Sequence, residues 1–334
     1  MSQKSGSNLP PKADRSIRLA AVGDLLFVTK PWDRRSGRGL ESLSQELIDL
    51  FASCDIVLAN LECTRPGPEC VPTEPKVIAS EGQVRSLRDA GVHLVTLGNN
   101  HAFDCMDEGF HRLRELLDEQ GTLWFGAGDD LEEAARPAVL EAQVVTVAFL
   151  AAVEPSTGPC RYATKTSSGV VRMDTQEMCD AIQALRTRAT HEIVSPHWGE
   201  ERIRIPSPRQ VEQAHAFIEA GASLVLGHHP HVLQGVERRQ GGAVAYSLGN
   251  FVTNHVYWES GDYLTWSRFE RTGCLLIADL DCEGVRHVHA VPTFDDGGTI
   301  RIEDTPRGRR RLDRVNRLLE RGVTQARYER EAFR

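Results

Sequence analysis

Nine side chains able to do chemistry sit at or just past apolar, β-forming runs of this 334-residue chain: Asp24, Glu62, Asn100, His101, Asp104, His197, Glu201, His229 and His231. Carboxylates and imidazoles are ordinary ligands of divalent cations, and imidazoles also carry protons near neutral pH. One Asp at a strand end reads as a helix cap, and a lone His reads as a satisfied surface group. The run His229-Pro230-His231 is different, because one rigid residue between two imidazoles presents two nitrogens to one side, as metal sites require. The sequence therefore predicts a metal-associated site with acid/base groups. His101 with Asp104 is one imidazole–carboxylate pair, and His229 or His231 with Asp24 is a second.

The elements between these residues must bring them to one place. Residues 17–22 read as a strand ending in Gly23-Asp24, and 40–53 as a helix, since Leu43, Leu47, Ile48, Leu50 and Phe51 recur at helical spacing. Strands over 55–60, 92–97, 192–195, 224–226 and 243–247 alternate with helices over 82–90, 106–120, 176–187 and 209–220. The Pro- and Gly-rich stretch 65–76 reads as loop, and Gly126-Ala127-Gly128 as a turn rather than a dinucleotide fingerprint. In an open α/β sheet, ligands bind beyond the strand carboxyl ends, so five polar clusters in that position predict one site on one domain. The expected organisation is an N-terminal arm over 1–16, a metal-dependent domain over 17–305, and a basic C-terminal segment over 306–334. That segment reads as a helix over about 309–330, with Leu312, Val315, Leu318 and Leu319 facing the core and its arginines in solvent. Tyr257, Trp258, Tyr263 and Trp266 crowd one Gly- and Asp-containing segment, either packing a long loop or walling a peptide site.

Composition narrows the class. The chain is 40% hydrophobic and 26% charged, which excludes collagen-like and disordered chains. A net charge of −8 leaves no overall electrostatic footprint for nucleic acid. No apolar run approaches the roughly 18–20 residues that span a bilayer, and the polar N-terminal residues lack a signal-type stretch, so no membrane partner and a cytoplasmic location are expected. Eight cysteines without a CxxC pair read as free thiols.

Six ordered motifs then carry a resemblance: Gly23-Asp24, Asn60-Leu61-Glu62, Asn99-Asn100-His101 with Asp104, His197-Trp198-Gly199 with Glu201, Gly227-His228-His229-Pro230-His231-Val232, and Tyr246-Ser247-Leu248-Gly249-Asn250-Phe251. Over about 20–273 the chain resembles the CapA, or poly-γ-glutamate synthesis, family, which in turn resembles calcineurin-like metallophosphoesterases. The resemblance implies an α/β sandwich of two central mixed sheets flanked by helices. It implies metal ligands at Asp24, Glu62, Asn100, His197, His229 and His231, and an acid at His101. Trp198, Glu201 and Asn250, within the same motifs, are the candidate substrate contacts. One departure is that Leu26 stands where metallophosphoesterases place a ligand His, and another is that Glu62 replaces the usual bridging Asp. The weakened two-metal machinery points to one divalent ion, Ca²⁺, Mn²⁺ or Mg²⁺, with Zn²⁺ the remaining alternative. The resulting expectation is a metal-dependent acid/base enzyme acting on a peptide or poly-amino acid. The first form is epimerisation of a residue in a ribosomally made, lasso-type precursor. The alternative is hydrolase- or phosphoesterase-like chemistry of the poly-γ-glutamate (capsule) type.

Overall fold

Two sheets stack face to face with helices on their outer sides. The computed structural model describes residues 12, 15–30, 32–33 and 37–332, so the arm expected over 1–16 lies almost wholly outside the described residues. In the first sheet the strands lie in the order Ile300–Ile302, Gly284–Asp295, Thr272–Asp281, Ile17–Leu26, Ile56–Leu61, Leu94–Thr96, Leu123–Phe125, with Asn250–Thr253 also paired to Ile17–Leu26. The second runs Leu233–Arg239, Gly242–Leu248, Leu224–Leu226, His191–His197, Val145–Val153, Ala138–Ala142. Both mix parallel and antiparallel pairs, as expected.

The alternation of strand side chains explains the layers. Ile17, Leu19 and Ala21 join Val147, Phe149 and Ile193 in the core between the sheets. Their neighbours Ala20 and Val22 face the other way, onto Leu47, Phe51, Leu87, Phe110 and Leu117 of the helices Gln45–Ala52, Glu81–Asp89 and Met106–Gln120. On the second sheet Ala148, Leu150 and Val194 pack against Ile182, Phe217 and Ile218 of Thr175–Leu185 and Pro208–Ala220. A strand buried on both faces has no polar side to show, which is why these segments read as unbroken apolar runs. Helix starts are set locally: Ser80 with Gln83, and Ser207 with Gln210, form reciprocal capping boxes.

Four expectations need correction. The first strand does not stop at Asp24 but continues to Leu26, because Asn250–Thr253 pairs beside it, with Asp24 opposite Asn250 and Leu25 opposite Val252. This pairing explains Gly23: a Cβ there would lie 1.8 Å from Gly249 O, whereas the bare backbone lets Asp24 N donate to Gly249 O at 2.9 Å. The helix expected over 40–53 is a 3-10 turn, Leu40–Ser42, then Gln45–Ala52 with Ser44 as N-cap. The C-terminal helix is two helices, Pro306–Glu320 and Gln325–Ala332, separated around Gly322 at φ 79°. Finally, Cys70 and Cys105 form a disulfide, while Cys54, Cys63, Cys160, Cys179, Cys274 and Cys282 are free. Among the described residues no helix is long and apolar enough to cross a membrane.

One buried ion pair ties the first sheet across neighbouring strands. Arg18 Nε and Nη2 donate to Asp279 Oδ1 and Oδ2 at 2.7 and 2.8 Å, and Asp279 is 1% exposed. Asp279→Ala removes both of these charge-assisted bonds, and breaking a buried pair of this kind typically costs about 3–5 kcal/mol. Replacing both partners with apolar residues of similar volume recovers most of that loss. Urea denaturation of the three proteins checks this; an Asp279→Ala variant as stable as the parent contradicts it.

Candidate metal centre

The parallel strands carry their carboxyl ends to one edge, and the polar residues lie there. Ile17–Leu26 and Ile56–Leu61 run parallel with Asp24 opposite Asn60, placing Asp24 and Glu62 side by side. In the second sheet His191–His197 runs parallel to Leu224–Leu226, and a bridge between His197 and His228 continues the pairing past both strands. The chain then turns sharply, with His229 at φ 94° and His231 at φ 56°. Each left-handed non-glycine residue typically costs about 1–3 kcal/mol and persists only where its surroundings hold it. Here the strain turns both imidazoles toward one point.

Three donor groups result, each with ligand atoms within 4.8 Å of one another: Glu62, His197 and His229; Asp24, Glu62 and His231; and Glu201, His229 and His231. Glu62 belongs to the first two. Its Oε1 lies 3.7 Å from both His197 Nε2 and His231 Nε2. Asn100 Oδ1 is 2.8 Å from His197 Nε2, and Asn100 Nδ2 donates to Thr157 O. Asp24, Glu62, Asn100, His197, His229 and His231 are therefore brought together around the Glu62 side chain.

Several of these groups lack partners within the protein. Asp24 Oδ2, Glu62 Oε1, His197 Nδ1, His228 Nε2 and His229 Nδ1 are buried without hydrogen bonds; Asp24 Oδ2 lies 3.1 Å from His231 Nδ1 but is misaligned for one. Buried polar atoms are rarely left unpaired, and five at one point are the mark of a cation site. The protonation states of two imidazoles agree. Burial pushes His229 down to about 3, helped by the charge of His231, and pushes His197 well below the usual imidazole range. Both are held neutral, as metal ligands must be. Burial also raises Glu62 to about 8, with the charge of Asp24 adding to the effect. Burial opposes ionisation of Asp24 as well, but the hydrogen bond from His228 and the close approach and charge of His231 hold it well below the usual carboxylate range. His231 is raised to about 10, against burial, by Glu62 and Asp24. The residues fit a divalent cation with mixed oxygen and nitrogen ligands.

Beside these donors stands the proton-transfer pair. His101 Nδ1 lies 2.8 Å from Asp104 Oδ2, which also accepts from Val77 N at 2.8 Å. Burial opposes protonation of His101, yet the charge and hydrogen bond of Asp104 raise its pKa. Both His101 and His231 line a cavity of about 240 Å³, with Leu26, Glu201, Arg202, Trp258 and Trp266 among its other walls. Of the expected second pair, His231 approaches Asp24, whereas His229 does not.

Two expected substrate contacts are placed elsewhere. Trp198 is fully buried between Phe217 and Tyr246, its Nε1 donating to Tyr246 O, so it fills the core behind the site. Asn250 is 1% exposed, and its Oδ1 sits 2.9 Å from His231 Nδ1; it orients an imidazole. Glu201 is exposed at the cavity wall. The aromatic faces on the cavity belong instead to Trp258 and Trp266, with Trp266 centred 5.4 Å from His231. Reasoning from sequence missed His228, whose Nδ1 lies 3.0 Å from Asp24 Oδ1, and Asn60, whose Nδ2 donates to Asp24 Oδ1 at 2.9 Å. Both stand inside motifs already singled out, so motif membership was the available signal. Cys63 is buried against the site with its thiol pushed up by burial, which disfavours a nucleophilic thiolate.

Comparisons with known proteins follow the same lines. Residues 18–255 match the family model described as bacterial capsule synthesis protein PGA_cap. The PGA biosynthesis protein CapA of Bacillus subtilis is 29% identical over 260 residues, covering 75% of this chain and 67% of that protein. The capsule biosynthesis protein CapA of Bacillus anthracis is 31% identical over 188 residues, covering 55% and 46%. The chain thus spans about half to two thirds of the length of these relatives. Among solved structures, a novel phosphatase from Mycoplasma pneumoniae superposes with a TM-score of 0.54 at 16% identity, covering 88% of this chain and 96% of that one. With the two-sheet architecture, this likeness shows the calcineurin-like metallophosphoesterase fold.

Proposed function

Because the chain belongs to the PGA_cap family of bacterial capsule synthesis proteins, we propose that it is a metal-dependent hydrolase acting on a poly-amino acid of the poly-γ-glutamate type. The observation that carries this reading is the shared position of Glu62 between two buried donor groups, beside a cavity that holds His101. Asp24, Glu62, Asn100, His197, His229 and His231 would hold a divalent ion. A bound divalent cation polarises a carbonyl and makes water more acidic. Asn60 and His228 fix Asp24, Asn250 fixes His231, and Asn100 meets His197, so these three donors have a set orientation. His101, kept protonated by Asp104, donates to the leaving nitrogen. Trp258 and Trp266 give the chain a flat apolar surface to lie on.

A second reading is favoured by Leu26. It lines the cavity where metallophosphoesterases carry a ligand, and the site offers His101 with Asp104 and His231 with Asp24 as two imidazole–carboxylate pairs. Such pairs suit removal and return of a Cα proton, that is, epimerisation of a peptide residue. One experiment separates the two. The protein, loaded in turn with Mn²⁺, Mg²⁺ and Ca²⁺, is incubated in D₂O with poly-γ-glutamate and with a set of peptides, and the products go to mass spectrometry and chiral amino-acid analysis. Hydrolysis shortens the chain, adds one water per cut and leaves Cα–H intact. Deuterium at Cα without shortening rejects the hydrolase and establishes the epimerase.

A further inference from the structure

Between the two C-terminal helices, outside the stretch that matches the family model, lies a groove of about 380 Å³ lined by Arg314, Arg317, Arg321, Arg327 and Arg330, with Glu331 and Leu318 completing it. Five guanidinium groups converge here in a protein whose net charge is −8. The ion pairs at its margin are Arg204 with Glu331 at 3.7 Å and Arg311 with Glu303 at 3.2 Å. Arg314, Arg317, Arg321 and Arg330 form none among the described residues. Arg327 is spent internally, donating to Gly322 O and Leu318 O, which pins the turn between the helices. Tyr328 of the second helix packs on Ile203 and Ile205, so the groove rests on a built support. Like charges in excess, five arginines against one glutamate, repel, and a ligand that supplies several anions along its length relieves them together.

We propose that this groove docks an extended polycarboxylate, an acidic peptide or poly-glutamate chain. The groove shares walls with a neighbouring cleft: Arg314 and Leu318 also line a second, narrow cleft with Arg204 and Val232. Val232 is next to His231 in sequence, and Arg204 lies two residues from Arg202; His231 and Arg202 both line the cavity beside the donor residues. Arginine suits carboxylates because its planar fork donates to both oxygens of one group. A carboxylate ligand is favoured over nucleic acid because the groove has no aromatic side chain on which bases would stack. The choice of a polycarboxylate rests on the poly-amino-acid reading of the site.

The test is binding of fluorescent poly-γ-glutamate, an α-linked glutamate-rich peptide and a single-stranded DNA oligonucleotide of matched charge, measured by anisotropy at low and high salt on the full chain. The parent is expected to bind one or both polycarboxylates more tightly than the DNA, with affinity falling as salt rises. Which of the two binds better identifies the linkage. Arg317→Glu with Arg321→Glu, both exposed, should weaken binding about tenfold or more while leaving the thermal midpoint in place. His229→Ala keeps the groove intact, so it should abolish turnover and retain binding. Loss of turnover with retained binding therefore speaks to the metal centre alone, and loss of binding in the arginine variant speaks to the groove alone. Undiminished polycarboxylate binding by the double variant, or equal binding of the DNA, overturns the proposal.

Discussion

Glu62→Gln empties the site. The substitution keeps the side-chain volume and removes one negative charge from the carboxylate shared by two donor groups, so both lose a ligand together. Metal content, measured by elemental analysis after dialysis, should fall to background, and turnover should drop about 10³-fold, since polarisation by the ion supplies several kcal/mol of the barrier reduction. Asn60→Ala gives the contrast: it only orients Asp24 and Glu62, so a loss of about 10–100-fold in metal affinity is expected. The metal-free proteins carry a second signature. Burial holds the Glu62 pKa near 8 against an ordinary value of 4.5, so between those values the folded protein keeps a proton that the unfolded chain releases. Relative to Glu62→Gln, the metal-free parent should therefore lose stability as pH rises from about 4.5 towards 8, whatever slope the histidines common to both contribute. Unchanged metal content and turnover in Glu62→Gln would remove the centre from the mechanism.

The two-sheet core was legible because its strands are buried on both faces and read as apolar runs of strand length, separated by amphipathic helices with serine caps. The donor residues were legible for a related reason: a polar residue directly after such a run has no packing role. What escaped was anything decided by pairing across distant segments. Leu25 and Leu26 extend the first strand only because Asn250–Thr253, some 225 residues later, lies beside it. Cys70 meets Cys105 through the loop that wraps the His101–Asp104 turn, and no spacing rule announces that contact. Trp198 follows a ligand histidine in sequence, but successive residues leave a strand end in opposite directions, so the histidine faces the site and the indole faces the core. Asn60, two residues before Glu62, lies on the same face and donates to both carboxylates. His228 was hidden differently, as one of three histidines within four residues, whose division between orienting and ligating roles depends on the left-handed turn at His229.

His101→Gln should leave metal content unchanged and cut kcat by about 10²–10⁴-fold, the usual contribution of a positioned proton donor. The separation from Glu62→Gln is the informative part, because His101 belongs to none of the donor groups and reaches the reaction through the cavity. Asp104→Asn tests how the histidine is poised. Burial alone would lower the pKa of His101, and the charge of Asp104 with its hydrogen bond reverses that. A proton donor works below its own pKa and fails as pH rises through it, so the alkaline limb of the rate profile reports that value. Without the carboxylate, burial prevails and the limb should move to lower pH. A bound cation contributes equally to parent and variant, so the direction of the difference is unaffected. The loop should stay in place, because Val71 N still donates to Asp104 O and the Cys70–Cys105 link is intact. An unmoved limb in Asp104→Asn, or metal loss in His101→Gln, rejects His101 as the donor. In the epimerisation reading the same His101→Gln protein would stop net inversion yet still exchange Cα–H from the face served by His231. Deuterium uptake without inversion in this variant therefore also replaces hydrolysis by proton transfer at carbon and assigns the lost face to His101.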